Sequence, residues 1–88
     1  MGYSTTQMVT VITSSGELAE ACIRFESAPY VAIDTEFMRD TTYWPKLCLI
    51  QAATPSFAAV IDPLAEGIDL TPFFKLMANE TVLKVFHA

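Results

Sequence analysis

Apolar and polar positions alternate from Met8 to Thr13, with Met8, Thr10 and Ile12 on one side and Val9, Val11 and Thr13 on the other. The β-branched content makes this a first strand. Ser14-Ser15-Gly16-Glu17 then has capping-box spacing, so a helix is predicted to begin there. Leu18, Cys22 and Phe25 recur at helical intervals beside Ala21, while Glu17, Glu20, Arg24 and Glu26 face water, and Pro29 forces the stop. Tyr30-Val31-Ala32-Ile33 is an uninterrupted apolar run, predicting a central strand buried on both faces; charge enters only at its end, with Asp34 and Glu36. Met38 to Pro45 reads as a loop, Leu47 to Ala53 as another strand buried on both faces, and Phe57 to Ile61 as its hairpin partner across Thr54-Pro55-Ser56. Thr71-Pro72 carries the N-cap and first-turn chemistry of a second helix, with Phe73, Leu76 and Met77 as its apolar face. Val82 to His87 is a last strand.

Three successive strands without intervening helices predict an antiparallel portion within a five-stranded mixed α/β sheet with flanking helices. Two helices do not readily cover both faces of such a sheet. The expectation is therefore a domain incomplete at its C-terminus, with residues 1–7 disordered and residues 8–88 forming the first part of a longer unit.

Composition narrows the function classes. In 88 residues, 52% are hydrophobic and 17% charged, which excludes a disordered segment, and no apolar run approaches the length of a membrane span. A cytoplasmic protein with no membrane partner is expected. Five basic residues against ten acidic ones leave a formal charge of −5, the wrong sign for holding a polyanion by phosphate neutralisation alone. Cys22 and Cys48 lack metal-site spacing and read as reduced thiols. The glycines, Gly2, Gly16 and Gly67, form no phosphate-cradling loop.

Candidate chemistry converges on the end of the central strand. Side chains alternate along a strand, so Asp34 and Glu36 project to one face with Cα atoms about 6 to 7 Å apart, and Thr35 points the other way. Two converging carboxylates repel, and a divalent cation between them relieves the repulsion. The alternative is a strand end that has reached solvent, with both acids hydrated.

Four motifs in order decide between these readings: Ala32 to Arg39, Thr42 to Gln51, Ile61-Asp62-Pro63-Leu64, and Lys84-Val85-Phe86-His87-Ala88. Together they resemble the N-terminal exonuclease domain of ribonuclease D, a DEDD-type 3′-5′ exonuclease. The resemblance implies a ribonuclease H-like fold, trimming of RNA 3′ ends such as those of tRNA precursors, and four carboxylates holding two divalent ions, Mg2+ or Mn2+. Asp34 and Glu36 match the first exonuclease motif as catalytic metal ligands, and His87-Ala88 matches the opening of the second, whose Asp and the whole third motif lie beyond this sequence. The resemblance further implies that Asp34 bridges the ions, and that Thr35, Phe37, Met38 and His87 line the pocket for the terminal nucleotide. Phe37 and Met38 serve equally as core residues, Tyr43 and Trp44 as sheet-edge packing, Arg39 as a surface ion pair, and His87 as a hydrogen-bonded strand end. The expected function is thus an exoribonuclease whose 88-residue piece is itself inactive. The competing expectations are a non-catalytic nucleic-acid-binding or self-assembling module joined through exposed strand edges, and a small-molecule phosphohydrolase.

Overall fold

The alternating start of the chain forms β1, Val9–Ile12, and the capping box opens α1, Ser15–Glu26. In the computed structural model, which describes residues 9–38 and 46–86, there follow β2 (Val31–Met38), β3 (Lys46–Ala53), β4 (Ala58–Ile61), α2 (Thr71–Ala78) and β5 (Lys84–Phe86). The strands make one mixed sheet in the order β1-β4-β3-β2-β5. β2, β3 and β4 form an antiparallel meander, while β1 joins β4 and β5 joins β2 in parallel. The predicted five-stranded α/β architecture is therefore present. Residues 1–7, the segment predicted as a loop with Arg39, Tyr43 and Trp44, and His87 lie outside the described residues.

Register decides which side chains share a face. Ile12, Ile61 and Ile50 stand in one row across three strands, and Ala59, Ala52 and Ile33 in the next. Leu18, Ala21, Cys22 and Phe25 of α1 and Phe73 and Leu76 of α2 pack on these rows in a single buried cluster. The two helices also contact each other, so both lie on the same side of the sheet. The opposite face carries the row Val9, Ala58, Ala53, Ala32 and Val85, and it is open, with Val9 54% and Val85 44% exposed. β2 and β3 are thus buried on one face, where the apolar runs predicted two. Alanine counts as apolar in a run, but at these positions neither α1 nor α2 stands over it.

Local hydrogen bonds account for the element ends. At α1, Ser14 Oγ accepts from the Glu17 N–H at 3.3 Å, and Glu17 Oε1 accepts from the Thr13 N–H at 3.1 Å, one residue earlier than the box form expects. At α2, Thr71 is the first helical residue and not the cap. The N-cap position, Leu70, has no side-chain cap bond, and Asp69 Oδ1 instead accepts from Thr71 N–H and Oγ1 at 2.9 and 2.6 Å. The carboxylate accepts from two donors there, and Pro72 follows with no N–H to satisfy. Just before Asp69, Gly67 adopts φ +77°, a left-handed turn conformation that favours glycine. Lys84 of β5 donates from Nζ to the Asn79 carbonyl at 2.6 Å, satisfying the C-terminal end of α2. The β3–β4 turn closes through Thr54, whose N–H donates to the Phe57 carbonyl at 2.7 Å and whose Oγ1 accepts from Ser56 N–H at 3.3 Å. Arg24, predicted to face water, also lies 3.8 Å above the centre of the Phe57 ring.

Candidate metal centre

β2 runs through the sheet between β3 and β5, so its backbone is held from both sides at Ala32 and Ile33. Beyond that point β5 stops pairing, and alternation delivers Asp34 and Glu36 to the open face, beside Gln51 and Leu49 of β3 respectively. Both carboxylates line one hollow of about 640 Å³ on that face, with Ala32, Ala53 and Ala58 as its floor and Val9 and Val60 at its far side. Asp34 is half-buried and Glu36 exposed. The small floor residues matter as much as the acids. With no large side chain rising between them and the far wall, space remains above the carboxylates for a ligand.

Two carboxylates on one side of a strand supply hard, anionic oxygen donors, the type that suits Mg2+ or Mn2+ over softer ions. Among the described residues no group of three or more His, Cys, Asp or Glu could hold a metal, so Asp34 and Glu36 fit as part of a donor set. Asp34 and Glu36 share one face of the sheet and one hollow. They are not splayed to opposite sides of the sheet.

The remaining candidates fall elsewhere. Thr35 and Phe37 project to the side of β2 opposite the carboxylates, and neither lines the hollow. Thr35 is exposed beside Ile50, and Phe37, at 57% exposure, is not a core residue either. The backbone of Met38 pairs with Lys46 at the end of β2. His87 lies outside the described residues.

One feature of the site was missed by sequence reasoning. Pairing between β2 and β3 is regular as far as Glu36 opposite Leu49, then resumes with Phe37 opposite Leu47, leaving Cys48 as an extra residue. The β-bulge therefore falls immediately after the second carboxylate. Cys48 Sγ donates to the Glu36 carbonyl at 3.3 Å. Cys22, by contrast, is buried under α1, and desolvation pushes its thiol up to about 11, which leaves it unreactive near neutrality.

Known proteins resemble this chain in sequence and in fold. A family model described as 3′-5′ exonuclease matches residues 9–88. Ribonuclease D of Nitrobacter hamburgensis is 60% identical over 78 residues, which is 89% of this chain and 20% of that protein. The chain thus spans about a fifth of the length of the curated relatives it matches. Among solved structures, Escherichia coli RNase D, described as an exoribonuclease involved in structured RNA processing, superposes with a TM-score of 0.80 at 36% identity, covering all of this chain and 22% of that one. Brucella melitensis NrnC with bound Mg2+ shares the fold at a TM-score of 0.59 and 22% identity, over 90% of this chain and 36% of its own. On the match across residues 9–88, and with ribonuclease D as its near relative, the chain belongs to the 3′-5′ exonuclease family.

Proposed function

We propose that this chain is the first part of the exonuclease domain of a ribonuclease D, acting with divalent Mg2+ or Mn2+ to trim the 3′ ends of RNA, tRNA precursors among them, in the cytoplasm. The observation that carries this reading is the pair Asp34 and Glu36 on one open face above a floor of alanines. The 60% identical relative is named ribonuclease D, and the neighbour with bound Mg2+ shares the fold. In that role Asp34 and Glu36 hold the metal, and a divalent ion so held would supply hydroxide from water and offset charge on the leaving oxygen. Positive charge from the metal also answers the formal −5 of the chain, which otherwise repels an RNA strand. Thr35, Phe37, Met38 and His87 complete the proposed contacts to the terminal nucleotide; since Thr35 and Phe37 leave the side of β2 opposite the carboxylates, that nucleotide would have to bend round the strand to meet the Thr35 main chain and the exposed Phe37 ring.

The test is 3′ trimming of a labelled tRNA precursor by the full-length protein in Mn2+. Asp34→Asn and Glu36→Gln, each close in shape to the residue replaced, are expected to cut the rate by at least about a hundredfold, as loss of a metal ligand does. Either variant trimming at the parent rate would remove the assignment. The 88-residue chain alone is expected to be inactive in the same assay, because only two of the required donors lie in it.

A second reading, self-assembly, has one observation in its favour. Val9, Val11 and Val85 expose apolar surface on the open face. If that reading is right, the isolated chain elutes as a dimer or larger species on size exclusion at micromolar concentration and binds RNA without cleaving it.

A further inference from the structure

The bulge beside Glu36 is the one irregularity in a ladder that is otherwise regular from Ala32 opposite Ala53 onward. At a bulge the extra residue is left out of the pairing, the ladder is disrupted locally and the strand twist increases. A side chain leaving the strand there takes its direction from how the bulge is fixed. At this bulge the extra residue is Cys48, and its thiol donates to the main-chain carbonyl of Glu36 at 3.3 Å.

We propose that Cys48 is a positioning residue for Glu36: its thiol–carbonyl bond fixes the bulge, and the bulge fixes the direction in which the Glu36 carboxylate enters the open face. The inference deepens the metal reading given above and rests on it, since it concerns the aim of one of the two carboxylates. Cys48 acts only through the Glu36 main chain. Its side chain is small and unbranched, so it occupies the extra position without forcing the strands apart, and it carries a proton to donate. A valine in its place is branched and has no donor, and an alanine lacks both the sulfur and the donor. Serine keeps a donor. Groups that bond to and orient metal ligands typically contribute about 10- to 100-fold to metal affinity, and because a thiol is a weak donor acting here on a main-chain carbonyl, the expected effect falls below that range, about three- to tenfold.

Two readouts on the full-length protein test this. Mn2+ affinity is titrated for the parent, Cys48→Ala and Cys48→Ser, and amide hydrogen exchange along residues 35–38 is followed in the same three proteins without metal. The expected result is a Mn2+ dissociation constant about three- to tenfold weaker in Cys48→Ala, faster exchange confined to residues 35–38, and recovery of both in Cys48→Ser. A merely structural role would lower the melting temperature of Cys48→Ala without moving Mn2+ affinity, and that outcome overturns the proposal. So does an alanine variant with parental exchange, or a serine variant that falls with the alanine one. If the parent itself binds no Mn2+, the metal reading fails separately, and the exchange pattern alone decides whether Cys48 fixes the bulge.

Discussion

Asp34 and Glu36 differ from the other acids of the chain in having each other as neighbours on one face of a strand, and that proximity has a consequence for stability as well as chemistry. Two like charges on one face offer each other no attraction, and a divalent cation would supply it. Asp34→Asn removes one charge at nearly constant shape. In low salt without metal, its melting temperature is expected to equal or exceed that of the parent. Added Mn2+ is expected to raise the melting temperature of the parent and not of the variant, because a ligand stabilises only the state that binds it. Thermal melts with and without millimolar Mn2+ check this, and an equal Mn2+ response in both proteins would count against Asp34 as a ligand. At this scale the sequence was legible where alternation alone decides the answer. Asp34 and Glu36 share a face because they are two residues apart. Arg24 over Phe57 was not legible, because it depends on the β3–β4 turn reaching the end of α1, a contact between residues far apart in the chain.

Among the elements, the helix ends carry the clearest dependence on pH. Hydrogen bonds from Thr13 and Ser14 hold the Glu17 carboxyl below its ordinary 4.5, and those from Thr71 hold Asp69 below its ordinary 3.8. A carboxyl lowered by folding contributes stability that is fully present above the unfolded value and is lost as the pH falls through the folded one. Both contributions are therefore intact at neutral pH, begin to fade below about pH 4.5 and 3.8, and vanish in stronger acid. The melting temperature of the parent should exceed that of a Glu17→Gln, Asp69→Asn double variant at pH 7, and the two should converge as acid is added. Parallel curves would show that neither cap is electrostatic. Ser14→Ala should cost about 1 kcal/mol in the same measurement through loss of the α1 cap. The strands and the α1 cap were legible because each is a local pattern. At α2 the N-cap position is Leu70 and the side chain that accepts at the helix start is that of Asp69, not Thr71, since Thr, Asp and Pro all favour helix starts and only the backbone path chooses among them. The bulge was hidden altogether, as a register shift in β3 exists only relative to β2.

Across the whole molecule, the helices share one side of the sheet, and the core is correspondingly thin. Phe25 of α1 is fully buried in the core cluster between helices and sheet, with its ring centre 5.3 Å from that of Phe57. Phe25→Ala should cost about 3 to 5 kcal/mol, enough to unfold much of an isolated domain of this size, as loss of near-ultraviolet dichroism at 25 °C would show. The strand count and the antiparallel run of β2, β3 and β4 followed from the order of apolar segments, whereas the parallel pairing of β1 with β4 and of β5 with β2 did not. The open face did not, because hydrophobic runs report how apolar a strand is and not what stands over it, and Ala32, Ala53 and Ala58 score the same under a helix or under water.

The parallel outer strands set an order of assembly. β2, β3 and β4 are joined by neighbouring chain and can zip together early, whereas β1 must wait for β4 and β5 must wait for a partner laid down long before it. On a ribosome, the carboxylate-bearing strand is therefore complete and paired on one side while its other edge still stands bare. Pulse-labelled exchange during refolding would find the meander amides protected first and those of Lys84–Phe86 last, and over that interval the acidic strand edge is the surface most open to mispairing with another nascent chain.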